Sequence, residues 1–77
     1  MDHDQVMKAL SAGELVESVI KPAEDANGWV LVVVTADGAQ VTYTGHTGSE
    51  KVFHTLDHAT DVARELGFQS IRVEESF

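Results

Sequence analysis

The residue types best suited to chemistry in this 77-residue chain are its histidines, serines and carboxylates. His54 and His58 stand four apart, with Asp57 between them and Asp61 beyond. Two imidazoles at that spacing on one helical face can hold zinc, and a glutamate between them can act as general base. Here Thr55 reads as the cap of the helix, so His54 precedes it and the two rings do not share a face. No glutamate lies between them. Zinc also needs three or four converging ligands. No metal site is therefore expected. Asp57, His58 and Asp61 read as a solvated first turn whose acids favour the helix dipole. His3 and His46 read as surface residues.

Other arrangements point no more firmly to catalysis. Gly45-His46-Thr47-Gly48 could present backbone N–H groups to phosphate. No helix is expected to start there, and no lysine stands where a phosphate loop needs one. Ser11, Ser49 and Ser70 lack the strand-turn-helix context of a nucleophile elbow. No carboxylate pair sits in an apolar stretch that would tune it for acid–base work. The chain reads as non-enzymatic, with no catalytic residues and no cofactor.

Thirteen Asp and Glu oppose five Lys and Arg, for a formal charge of −8. Such a field repels phosphates and attracts a basic protein surface. Lys8, Lys21, Lys51, Arg64 and Arg72 are scattered, so direct nucleic-acid binding is not expected. The absence of cysteine excludes disulfides and thiolate metal sites and fits a reducing compartment. Met1-Asp2-His3-Asp4 has no basic, apolar leader character. The longest apolar run, Trp29 to Val34, falls well short of the ~20 residues of a membrane span. A cytoplasmic protein without a membrane segment is expected.

The elements that must position these residues follow from periodicity. Residues Asp4 to Ala12 predict a helix, with Val6, Met7 and Leu10 on one face, Asp2 or Asp4 as cap and Gly13 as terminator. Leu15 to Lys21 predicts a strand, with Leu15 and Val19 on one side and Val16 and Ile20 on the other. Pro22 closes it, and Ala23 to Gly28 is a turn. Trp29 to Thr35 is the strongest strand, β-branched and apolar on both faces. Gln40 to Thr44 returns from it, and Gly45 to Glu50 is a loop. Lys51 to His54 is a short extended segment anchored by Phe53. Leu56 to Leu66 predicts a helix with the stripe Leu56, Ala59, Val62, Ala63 and Leu66. Gly67 ends it, and Phe68 adds an apolar contact. Ser70 to Glu74 is a last strand with Ile71 and Val73 inward, and Glu74 and Glu75 keep that edge soluble. The order α-β-β-β-(β)-α-β predicts a single α+β domain over residues 1–77, a mainly antiparallel sheet with two helices on one face.

Hairpin register decides which strand face is core. A two-residue Asp37-Gly38 turn would pair Val34 with Val41. A three-residue loop, Ala36-Asp37-Gly38, would pair Val33 with Val41 and Leu31 with Tyr43. The second needs positive φ only at glycine and groups Trp29, Leu31, Val33, Val41 and Tyr43. It is the register expected here. Val30, Val32 and Val34, with Thr42 and Thr44, then form a row beside Gln40 on the face without helices. An exposed apolar row usually marks an interface. These five residues are the expected interface, and homodimerisation through them would offset the small core.

Gly28-Trp29-Val30-Leu31, Val41-Thr42-Tyr43-Thr44, the stretch Val52 to Ala59, Leu66-Gly67-Phe68 and Ile71-Arg72-Val73 together resemble small partition-associated, ParC-type proteins of bacterial plasmids and integrative elements. The likeness spans about residues 15 to 74. It implies a role in maintenance of a mobile element and supplies no catalytic residues. Those proteins carry basic residues in the strand and loop where this chain has Val32, Val34 and Gly45 to Gly48. The expected function is thus an accessory protein acting by protein–protein contact. An acidic DNA mimic, using Glu14, Glu17, Asp57, Asp61 and Glu65, is the alternative. A metal sensor or enzyme built on His54, Asp57 and His58 is a third.

Overall fold

The computed structural model describes residues 1–23, 27–46 and 51–74. The elements run α1 (His3–Ser11), β1 (Leu15–Pro22), β2 (Trp29–Thr35), β3 (Gln40–Thr42), β4 (Val52–Phe53), α2 (Leu56–Leu66) and β5 (Ile71–Val73). The five strands form one sheet in the order β3-β2-β1-β5, with β4 also paired to β2. All pairings are antiparallel except β1 with β5. This is the α+β architecture expected from the periodicity. Residues 24–26 of the first turn, 47–50 of the loop and Glu75 lie outside the described residues.

Both helices start at the capping signals written in the chain. Asp2 accepts the Gln5 N–H and the Gln5 side chain returns the bond to the Asp2 N–H, a capping box. Thr55 accepts the His58 N–H at 3.1 Å. Gly67, at φ 107, closes α2 in the left-handed region where glycine has no Cβ penalty. On α1 the inward stripe is Val6, Ala9 and Leu10. Met7 was expected to join it but is 41% exposed, because it lies one residue, or about 100° of helical turn, beyond Val6.

The β2–β3 hairpin adopts the three-residue loop. Val33 pairs with Val41, the Tyr43 N–H donates to the Leu31 carbonyl at 2.8 Å, and Gly38 takes φ 93. Leu31, Val33, Tyr43 and Phe53 join Val6, Ala59, Ala63 and Leu66 in one core, with Trp29 and Val41 packed against it. The bulky side of β2 faces the helices, as the register requires.

Strand β1 departs from simple alternation. Leu15 pairs with Thr35 and Glu17 with Val34, so Val16 is an extra, unpaired residue at a bulge. The bulge shifts the faces by one. Leu15 and Ile20 both enter the helix-side core, and Val19 takes the opposite side, although Leu15 and Val19 were expected together. Val16 is left 56% exposed. Val73 was expected inward, yet as an edge residue it is also exposed, while Ile71 packs partly against the core.

Candidate functional site

The sheet face opposite the helices carries Val19 from β1, Val30 and Val32 from β2, and Thr42 from β3. Their registers place Val19 beside Val32 and Val32 beside Thr42. Val30, Val32 and Val34 were expected to be bare on this face, and Val19 was expected on the side of Leu15. Instead Val19 is fully buried and Val30 and Val32 are 8% and 6% exposed, although they belong to no part of the helix-side core. Val34, Thr42 and Thr44 are half-buried. Thr44 lies past the end of β3, where its N–H donates to the Met1 carbonyl at 2.8 Å, so it leaves the proposed row.

Long polar side chains account for part of this cover. Lys21 sits beside Val30 on β1, and Gln40 sits beside Val34 on β3. The Lys21 Nζ donates to Gln40 Oε1 at 3.1 Å. Strands one apart in a sheet are about 4.8 Å apart, so this bond must cross β2, and the point it crosses is Val32. The four-carbon stem of Lys21 therefore lies along apolar surface while its ammonium stays wet. A second pair flanks Val19: Arg72 on β5, which pairs with Val19, contacts Glu17 at 3.3 Å. Of these four, the hairpin register places Gln40 on this face, and nothing in the sequence pairs it with Lys21 or Glu17 with Arg72. Their meeting depends on three strand registers, of which the local hairpin signal specifies only that of β2 with β3.

A second cluster joins residues far apart in the chain. His3 Nδ1 lies 2.9 Å from the Tyr43 hydroxyl. The His46 ring sits 4.5 Å from the His3 ring, Tyr43 stacks on Phe53 at 6.4 Å, and the His58 ring meets Phe53 edge-on at 5.1 Å. Burial pushes the Tyr43 phenol above its ordinary value, with a smaller contribution from the Glu65 carboxylate. The backbone draws this cluster together. The Met1 nitrogen donates to the Thr42 carbonyl at 2.8 Å and the His3 N–H to the Gly45 carbonyl at 2.8 Å. Residues 1–3 thereby cover the outer edge of β3. His3 was read as a surface residue; its role was hidden because its partner is 40 positions away. Thr47 and Gly48 lie outside the described residues.

His54 and His58 are exposed on either side of Thr55, and His58 leans on Phe53. Among the described residues, no three His, Asp or Glu side chains converge as a metal site. A shallow groove of about 480 Å³ lies where the end of α1 meets the β2–β3 turn, lined by Ala9, Glu14, Leu15 and Asp37 among others. Asp37 is held below the usual carboxylate range by the Thr35 hydroxyl and the Ala39 N–H, which binds it to its own turn.

Among the described residues, the acids do not form a single array. Asp57, Asp61 and Glu65 are exposed along one face of α2 at four-residue spacing. Glu17 lies on the other side of the sheet, engaged with Arg72. A decoy surface built from all five expected carboxylates is thus divided by the sheet itself. No helix is long and apolar enough to cross a membrane among the described residues. No family model, no curated protein and no solved structure matches the chain.

Proposed function

We propose that the protein is a non-enzymatic accessory factor that binds another protein through the helix-free face of its sheet. The single observation behind this reading is an apolar centre, Val19, Val30 and Val32, on the face away from the helices, flanked and partly covered by polar side-chain pairs. Exposed ion pairs and hydrogen bonds of this kind contribute only about 0–1 kcal/mol each. A partner can displace Lys21 and Arg72 at small cost and gain the valines and Thr42 beneath. The charge of −8 favours a partner with a basic surface and speeds its approach. The resemblance to partition-associated proteins supplies a setting for that contact, the maintenance of a plasmid or integrative element.

The test uses the protein as bait in its native host. The baits are wild type, Thr42→Glu on this face, and Met7→Glu on the outward side of α1. A partner held by wild type and Met7→Glu but lost by Thr42→Glu supports the reading. Equal retention by all three folded baits, or capture of nothing, overturns it.

A further inference from the structure

The two outer edges of the sheet are treated differently. On the β3 side, residues 1–3 bond to Thr42, Thr44 and Gly45 and occupy the edge. On the other side, β5 is paired to β1 alone among the described residues. The Ser70 carbonyl and the Glu74 N–H bond inward to Ser18 and Ile20. Alternation then turns the N–H and C=O groups of Ile71 and Val73 outward, where no backbone partner meets them among the described residues. Val73 presents an apolar side chain at the same edge, 41% exposed. An unpaired edge of this kind is a template for another strand.

We propose that β5 pairs antiparallel with β5 of a second copy of this chain, with Val73 opposite its own counterpart. Charge chooses both the occupant and the register. Arg72 and Glu74 carry opposite signs two residues apart, on the same sheet face. Placing Val73 on the two-fold axis sets Arg72 of each copy directly across from Glu74 of the other, and the symmetry makes this attraction twice. Moving the axis to Arg72 would set two guanidiniums face to face, which destabilises a cross-strand pair. In the chosen register Val73 exchanges two backbone hydrogen bonds with its counterpart and the two Val73 side chains touch. Arg72 then lies between Glu17 of its own chain and Glu74 of the other. The joined sheets keep the helices of both copies on one side. The contact is small, so the dimer is weak and concentration-dependent. This inference does not rest on the proposed function, although Arg72 serves in both, and the dimer leaves Val30, Val32 and Thr42 open.

Sedimentation across a wide concentration range tests it. Wild type is expected to show a reversible monomer–dimer equilibrium that weakens with salt, since exposed pairs are screened. Val73→Pro removes only an outward N–H and should yield a folded monomer. Glu74→Arg and Arg72→Glu each turn two attractions into repulsions and should weaken dimerisation by about tenfold or more. An equimolar mixture of those two single variants restores both opposite-sign pairs and should recover the dimer. Wild type that stays monomeric at every concentration overturns the proposal. So does a dimer that survives Val73→Pro and both charge variants, because it must then use another surface. If Val73→Pro fails to fold, recovery or non-recovery in the mixture decides the matter.

Discussion

Lys21 and Gln40 meet across an intervening strand, Nζ to Oε1 at 3.1 Å, and the bond passes over Val32. A valine row that reads as bare in the sequence is thereby partly covered by two side chains that no local signal pairs. The closure is polar, reversible and cheap, which is what a displaceable cover requires. Removing it should expose apolar surface while leaving the fold intact. Lys21→Ala is expected to cost within about 1 kcal/mol in urea unfolding and to increase binding of a hydrophobic dye to the native state. A loss of several kcal/mol, or unchanged dye binding, would mean that Lys21 does not cover Val32.

The two faces of β2 should respond differently to truncation. Leu31 is fully buried in the helix-side core, and Leu31→Ala is expected to cost about 2–5 kcal/mol. Val34, half-buried on the other face, should cost less than about 1 kcal/mol as Val34→Ala. Chemical denaturation of the two variants measures the difference. Comparable losses would contradict the assignment of faces.

Gly28 is where the backbone tolerates no side chain. A Cβ there would lie 2.5 Å from the Phe53 carbonyl oxygen and 2.7 Å from Val52 Cγ1, and φ is +150. Gly28→Ala should therefore force β4 away from β2 and loosen the neighbouring Trp29–Phe53 pair. Strain at such a position costs on the order of 1–3 kcal/mol. The expected signature is that loss together with a changed emission of Trp29, the single tryptophan. Gly13→Ala, with positive φ but open space around its Cβ, should cost less.

Tyr43 is the only tyrosine, so its titration can be followed by phenolate absorbance without overlap. Its folded value lies above the ordinary 10.0 because burial, then the Glu65 carboxylate, disfavour the anion. A raised folded value means that the unfolded chain releases its proton first as pH climbs. The associated stability is fully present below pH 10.0 and is lost as pH rises through the folded value. Glu65→Gln should lower the midpoint slightly and leave most of the elevation, since burial is the larger cause. A midpoint at or below 10.0 in the native protein would contradict the packing of Tyr43 against His3 and Phe53.

The amino-acid sequence by itself determined what short-range physics can encode. Caps at Thr55 and Gly67, the run of α2, the glycine-led hairpin turn and hence the side of β2 that is core were all legible, because each rests on residues within one turn or one loop. The acidic charge was legible too. Only the tertiary structure decided the rest. The bulge at Val16 reversed the face of Val19, and nothing in an alternating strand announces an extra residue. His3 found Tyr43, and Lys21 found Gln40, through strand registers summed over the whole sheet. Those pairings change the candidate surface from an exposed valine row to a covered one, since burial is a property of what lies above a side chain and not of the side chain alone.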